Sequence, residues 1–368
     1  TVATNNPGVP PAANRTVASA ANITDNYVNN TGSPATLTYT ITPFSSVNNC
    51  QGQPFNYIVV INPTPVGANN TQAALCSHNA FTINPQSQIT NGVTATFAWT
   101  AVYDAGLTGG TGTGSGNIAD NLTNLTGAAL NATYTITPSA GPCSGTTFTI
   151  IQPINPEPVM DPTLSPKTIC SNNATSPNPT NIVLNTNGTS VAATSYNVSL
   201  ISQDAGLTGS PTTGTTLGAN AIKNDVYNNV GPVSLKVVYQ IIPKSAAGCT
   251  GAPFNISVTV NPEPVVAALS NTVCSRDVSN VLLTTNGTSI GALNYQLKAV
   301  TVPGTITANP SNTVVGTTSG VSLIKNDSYT NTTSGAVTVT YSILGISASG
   351  CQGLAQTILV TINPEPIM

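Results

Sequence analysis

Ile61-Asn62-Pro63-Thr64-Pro65, Ile154-Asn155-Pro156-Glu157-Pro158, Val260-Asn261-Pro262-Glu263-Pro264 and Ile362-Asn363-Pro364-Glu365-Pro366 each end an alternating apolar run in the phrase Asn-Pro-x-Pro. The four asparagines lie 93, 106 and 102 residues apart, the length of one small β-sandwich. The 368 residues therefore read as four similar units: a partial repeat at 1–66, then repeats at 67–159, 160–265 and 266–368. Proline fixes φ and favours an extended, semi-rigid path, so such joints predict an elongated array.

Upstream of each joint lies a predicted hairpin. Its first strand has tyrosine at the centre: Leu37-Thr38-Tyr39-Thr40-Ile41, Ala132-Thr133-Tyr134-Thr135-Ile136, Val237-Val238-Tyr239-Gln240-Ile241 and Val339-Thr340-Tyr341-Ser342-Ile343. A loop with cysteine and glycine follows. The second strand alternates again, through Phe55, Tyr57, Val59 and Ile61 in the first repeat and Phe254, Ile256, Val258 and Val260 in the third. Side chains two apart share a face, so these residues are expected to form one buried face in each repeat. Val183-Leu184 and Leu282-Leu283 each run into Asn-Gly and predict a further strand and turn. Nothing reads as an amphipathic helix, and all-β is the expected class. Only 22 residues precede Ile23, against 51 from Gly67 to Ile118. The first repeat is therefore expected to lack its first strands, through an arbitrary boundary or because another chain supplies them.

Charged residues are 5% of the chain and its net charge is −3, so there is no basic surface for nucleic acid. No apolar run reaches the roughly 20 residues that span a bilayer. No signal peptide or anchor is read, and both ends look cut from something longer.

Seven cysteines recur in order. Cys76, Cys170 and Cys274 fall early in a repeat; Cys50, Cys143, Cys249 and Cys351 fall late. Pairs across a linker (Cys50–Cys76, Cys143–Cys170, Cys249–Cys274) would sit at opposite ends of a strand of about 10 residues, too far apart to bond. Pairs within a repeat would join the start of the first strand to the last hairpin loop, two places that a sandwich can bring to the same end. The expected disulfides are Cys76–Cys143, Cys170–Cys249 and Cys274–Cys351, with free thiols or metal ligands as the competing reading. Disulfides would place the chain outside the reducing cytosol.

Catalytic residues are not found. The lone histidine, His78, stands where other repeats have Asn172 and Arg276 and reads as a surface residue. No repeat offers the facing carboxylates of a glycosidase. Asp25, Asp120, Asp225 and Asp327 recur within one residue of the same place, beside asparagine, and are the candidates for Ca²⁺. That ion wants six to eight oxygens, so the turn-forming reading is preferred and no metal or other cofactor is expected. Asn29, Asn124, Asn228 and Asn331 follow as turn residues. Lone Trp99 reads as core rather than as a sugar platform, and the threonines as half-buried strand residues.

These phrases together resemble the PKD-like, immunoglobulin-like repeats of very large Bacteroidetes surface proteins, including gliding-motility adhesins. The resemblance rests on Cys76-Ser77, Cys170-Ser171 and Cys274-Ser275, on the Ile-x-Asp/Asn-Asn/Asp turn, on Tyr-Thr-Ile-Thr-Pro, on Cys-x-Gly from Cys50-Gln51-Gly52 to Cys351-Gln352-Gly353, and on Asn-Pro-x-Pro. It departs at Gly345, where the other repeats have Pro43, Pro138 and Pro243. It implies immunoglobulin-like sandwiches, export to the cell surface by the type IX route and a stalk or adhesin role. The implied location is the outer membrane exterior of a Gram-negative bacterium. Expected partners are neighbouring repeats of the same or like chains, and a surface polysaccharide or other cell-surface protein. The competing expectation is a self-assembling filament or sheath. A carbohydrate-binding array would need repeated exposed aromatics, and the aromatics here repeat on the buried parity.

Overall fold

A computed structural model describes residues 1–18, 21–174 and 176–365. Pro366 of the fourth Asn-Pro-x-Pro lies outside the described residues. The described chain is all β, with two short 3-10 turns, and divides into two compact units: 1–157 with 189–191, and 158–188 with 192–368.

In the first unit, β1 (Val2–Thr4), β2 (Ala35–Ile41) and β3 (Phe55–Ile61) form an antiparallel sheet in that order. The second repeat has β4 (Asn70–Thr71), β5 (Leu75–Cys76), β6 (Thr96–Tyr103), β7 (Thr113–Ser115), β8 (Leu130–Ala140) and β9 (Phe148–Asn155). Its sheet runs β4-β9-β8-β6-β7, with β5 continuing beside β9. Short ladders, Phe81–Ile83 with Ile118–Asp120 and Leu107–Thr108 with Thr123–Asn124, make the facing layer.

The second unit repeats this plan twice. The third repeat has β10 (Lys167–Cys170), β11 (Ala193–Gln203), β12 (Gly214–Leu217), β13 (Leu235–Ser245) and β14 (Phe254–Asn261). The fourth has β15 (Ser270–Cys274), β16 (Asn294–Thr301), β17 (Thr318–Ser319), β18 (Val337–Ile346) and β19 (Gln356–Asn363). The sheet orders are β10-β14-β13-β11-β12 and β15-β19-β18-β16-β17. The predicted hairpins are β2–β3, β8–β9, β13–β14 and β18–β19, with Tyr39, Tyr134, Tyr239 and Tyr341 on the buried parity. The first strand of each complete repeat lies parallel to the last, β10 on β14 and β15 on β19. A parallel neighbour puts the early cysteine at the end where the repeat finishes, because both strands run the same way.

Each complete repeat has its own core. In the second, Trp99 packs edge-on to Tyr134 with centroids 5.6 Å apart, which makes it a core residue. In the fourth, Tyr341, Ile343, Ile358 and Val360 are fully buried. Among the described residues the hydrophobic core of the first repeat has only Val9, Ala35, Leu37 and Tyr39 as buried members. Phe55 and Tyr57, expected on the buried face, are 54% and 58% exposed. Beside β3, among the described residues, no parallel first strand covers that end of the sheet. Val183 and Leu282 also differ from expectation. They are exposed in extended segments outside any ladder, while Leu184 and Leu283 alone enter the cores.

Candidate functional site

Each aspartate singled out as a cation candidate is held by the tyrosine at the centre of its sheet or by a threonine. Asp120 accepts hydrogen bonds from the hydroxyls of Tyr134 (2.5 Å) and Tyr103 (3.0 Å), and from the backbone N–H and hydroxyl of Thr111. Asp225 accepts from Tyr239 (2.5 Å) and from the N–H (2.8 Å) and hydroxyl of Thr212. Asp327 accepts from the N–H and hydroxyl of Thr313, both at 2.8 Å. All three carboxylates are buried. Asp25 instead faces a cavity of about 540 Å³, where Arg15 lies 2.5 Å away and Tyr39 donates at 2.9 Å. The Arg15 guanidinium holds the Asp25 carboxyl below the usual carboxylate range.

This donor set does not suit Ca²⁺, because one carboxylate per repeat supplies few ligands, and both oxygens of Asp25, Asp120 and Asp225 and one of Asp327 already accept from N–H or O–H donors. Among the described residues no three His, Cys, Asp or Glu side chains gather as a metal site. Asp120 and Asp225 instead tie the Thr111 and Thr212 segments to the tyrosine at the middle of the sheet.

Burial, foremost, raises the hydroxyl pKa of Tyr134, Tyr239 and Tyr341, and the neighbouring aspartate raises it further. Tyr227, bonded to Tyr239, is raised to about 12 by burial. A folded pKa above the unfolded value of about 10 stabilises the fold fully below pH 10, and the contribution falls as pH rises beyond it. Unfolding free energies from urea titrations are therefore expected to fall steeply above pH 10, by about 1.4 kcal/mol per pH unit for each such tyrosine. Tyrosinate absorbance of these residues should appear together with unfolding; its appearance in the folded chain would contradict their burial.

The second recurring constellation surrounds Asn-Pro-x-Pro. A fully buried asparagine, Asn124, Asn229 or Asn331, donates both amide hydrogens to carbonyls. For Asn331 these are Gly335 O (3.0 Å) and Ile362 O (2.8 Å), while its Oδ1 accepts from the N–H (3.0 Å) and hydroxyl (2.7 Å) of Thr333. Its own N–H donates to Ser275 Oγ at 2.9 Å. Its carbonyl accepts from the N–H of Glu365, inside the joint, at 2.9 Å. Asn124 with Ser77 and Glu157 makes the same bonds, and so does Asn229 with Ser171 and Glu263 apart from the hydroxyl, since Gly231 stands in the place of Thr333. Asn29 does so toward Ile61 and Thr64. The third member is thus Asn229, one residue beyond the expected Asn228.

The joint residue x also reaches back to the segment after Cys-Ser. Glu365 accepts from Arg276 (2.7 Å) and Ser275 (3.0 Å), His78 lies 3.3 Å from Glu157, and Asn173 donates to Glu263. His78 is therefore an exposed joint residue at the place of Asn172 and Arg276, and in the third repeat the contact to the glutamate comes from Asn173, one residue on. Burial raises the Glu263 pKa.

The Cys-x-Gly hairpin of the next repeat sits on the joint. An added Cβ on Gly353 would lie 1.9 Å from Pro264 O, and one on Gly145 would lie 2.0 Å from Pro65 O. Gly353→Ala is expected to cost about 2 kcal/mol through a forced backbone shift at the joint. Gly335→Ala, which meets nothing within 4 Å, should leave the denaturant midpoint nearly unchanged. Equal midpoints for the two variants would contradict the close approach. In the first unit Asn91 Nδ2 donates to Thr64 O (2.8 Å), Asn30 O (3.0 Å) and Thr31 O (3.2 Å). Asn173 Nδ2 donates to Gln352 O at 2.8 Å in the second unit.

The cysteines follow this seating. Cys170 bonds Cys351 of the next repeat, with Cα atoms 5.4 Å apart, and not Cys249. Cys143 and Cys274 are free thiols, so neither Cys76–Cys143 nor Cys274–Cys351 forms; Cys50 is also free, and Cys76 and Cys249 are disulfide-bonded. Within one repeat the early cysteine and the late hairpin loop occupy opposite ends. The last strand, eight residues in β14 or β19, separates them by about 25 Å.

Four successive stretches, residues 2–65, 73–158, 167–264 and 271–366, match the PKD-like domain. The chain belongs to the PKD-like domain family. No curated protein matches it. Among solved structures this run of PKD-like repeats is similar to protocadherin gammaB7 EC3-6 in its cis-dimer structure, 11% identical over 90% of this chain and 84% of that one, with a TM-score of 0.26. It is similar also to the human desmocollin-1 ectodomain (10% identical, 90% and 68% covered, TM-score 0.25) and to mouse cadherin-23 EC22-24 (10%, 73% and 86%, 0.22). At these scores the likeness carries no further argument. Among the described residues no helix is long and apolar enough to cross a membrane.

Proposed function

We propose that these PKD-like repeats form a non-enzymatic, extracellular stalk segment of a bacterial surface adhesin, divided at 1–66, 67–159, 160–265 and 266–368. The observation that carries this reading is Cys170–Cys351, which ties one repeat to the next. A bond across a joint serves load transfer and fixes the angle between neighbours, whereas a bond within a repeat would serve that repeat alone. Disulfides suit an oxidising compartment, which supports display outside the cell. The resemblance to Bacteroidetes adhesins supports the exterior of a Gram-negative outer membrane and type IX export. The aspartates spent inside the fold leave the joints, rather than a reactive centre, as what the repeats have in common.

Partners on this reading are neighbouring repeats of like chains along the stalk and a surface polysaccharide or cell-surface protein at its tip. The second reading, a filament or sheath subunit, is favoured by the uncovered edge of β3. Light scattering with small-angle X-ray scattering over a concentration series separates them. A monomeric rod supports the stalk, and ordered oligomers that grow with concentration support the filament. A compact monomer would sink both.

A further inference from the structure

The last strand of every complete repeat carries a parallel neighbour on its outer edge: β4 and β5 on β9, β10 on β14, and β15 on β19. The register is constant. Cys76, Cys170 and Cys274 stand opposite Asn155, Asn261 and Asn363, the asparagine of each Asn-Pro-x-Pro. The following serine donates its N–H back to that asparagine's carbonyl, at 2.9, 2.8 and 3.0 Å. Its hydroxyl receives the N–H of Asn124, Asn229 or Asn331.

In the first repeat Asn62 and Asn29 hold the matching places, but among the described residues nothing lies parallel to β3 and no serine hydroxyl accepts the backbone N–H of Asn29. Phe55, Tyr57, Ile58 and Val60 are all more than half exposed, on both faces of β3. A bare, apolar edge of this kind accepts a foreign strand. The next hairpin adds an independent mark. Gly145 is pressed against Pro65 as Gly353 is against Pro264, so Cys143 is the counterpart of Cys351. Cys351 bonds the cysteine at the end of the parallel first strand, whereas Cys143 is free.

We propose that β3 is an acceptor for an extended segment of the Thr-Ile-Cys-Ser or Thr-Val-Cys-Ser kind, laid parallel to it and latched by a disulfide to Cys143. The occupant is the first strand of a PKD-like repeat, as in Thr168–Ser171 and Thr272–Ser275 of this chain. Its cysteine stands opposite Asn62 and its serine caps Asn29. The latch needs an oxidant, for which a small disulfide such as glutathione disulfide serves. The Cys143 thiolate attacks one glutathione sulfur and expels a glutathione thiolate. The incoming cysteine thiolate then attacks Cys143 sulfur and expels the second. Two thiols lose two protons and two electrons, and both end on two molecules of reduced glutathione. The assignment stands independently of the stalk reading.

The test mixes the full chain with a peptide copying residues 266–275 and glutathione disulfide, then locates adducts by peptide mapping and follows amide exchange along β3. The expected result is peptide on Cys143 at least tenfold above a scrambled peptide, and slowed exchange at residues 58–61. Exposure alone predicts the reverse order, since Cys50 and Cys274 are exposed and Cys143 is only half-buried. In Cys143→Ser, a peptide with serine in place of its cysteine should still slow exchange on β3. Covalent chain pairs joining Cys143 to Cys274 without peptide would support the proposal and identify a second copy as the source. Adducts that follow exposure, or unchanged exchange on β3, overturn it.

Discussion

Reducing Cys170–Cys351 lengthens the fully stretched chain by roughly 600 Å in a Cys76→Ser/Cys249→Ser background, where it remains as the native disulfide. The bond closes a sequence separation of 181 residues, and an extended chain spans about 3.5 Å per residue. While it is intact, tension passes from β10 through the two sulfurs into the β18–β19 hairpin and never extends the segment between them. Single-molecule force spectroscopy with and without a reductant measures the difference directly. The same loop length predicts a thermodynamic effect. By the chain-entropy account, a loop of this size stabilises the folded state by about 5 kcal/mol. Calorimetry of the Cys351→Ser variant in that background should show the matching loss. Equal contour lengths before and after reduction would rule out a load-bearing bond between repeats.

Asn331→Ala is expected to destabilise the fourth repeat by about 4 kcal/mol. Its side chain makes four hydrogen bonds in a fully buried place. Alanine would leave the carbonyls of Gly335 and Ile362 and the N–H of Thr333 short of partners, and a buried unpaired group costs about 1–3 kcal/mol. Asn331→Asp should be worse, since it replaces two donors with charge facing two carbonyls. Thr332→Ala, one residue away, serves as the control. Urea unfolding followed by tyrosine fluorescence measures all three, and a midpoint for Asn331→Ala matching that of Thr332→Ala would show the bonds to be dispensable.

The sheets were legible because alternation is a local property. Tyr39, Tyr134, Tyr239 and Tyr341 fall at one place in one pattern, and burial follows from parity. The joint was legible as a phrase but not as a network, since the donors that complete it come from Asn124, Asn229 and Asn331, some 30 residues upstream. The repeated serine after each early cysteine was its visible trace, and its meaning needed the parallel strand. That strand also decided the cysteines. Antiparallel hairpins announce themselves through short loops, whereas a parallel first strand is reached by a long connection and leaves no local sign of its direction. A cysteine at the start of the first strand, beside the last hairpin loop, would pair within its repeat. Cys170 and Cys274 instead end β10 and β15, at the far end of the parallel last strand from that loop, and Cys170 meets Cys351. Phe55 and Tyr57 show the same limit from another side: their parity is right, yet burial also needs a neighbouring strand that the first repeat lacks among the described residues.

The parallel pairing of first and last strands has a mechanical consequence. Once Cys170–Cys351 is reduced, chain entering the fourth repeat pulls on β15 toward its beginning, and chain leaving it pulls on β19 toward its end, so the two slide past one another along a common axis. The ladder from Ser270–Leu359 to Cys274–Asn363 is then loaded in shear, with every rung strained at once. An antiparallel pair pulled from its open end would instead be unzipped one rung at a time. Such a geometry gives way late and abruptly, as a lap joint does, and it places the strongest part of each repeat where the thread enters and leaves it.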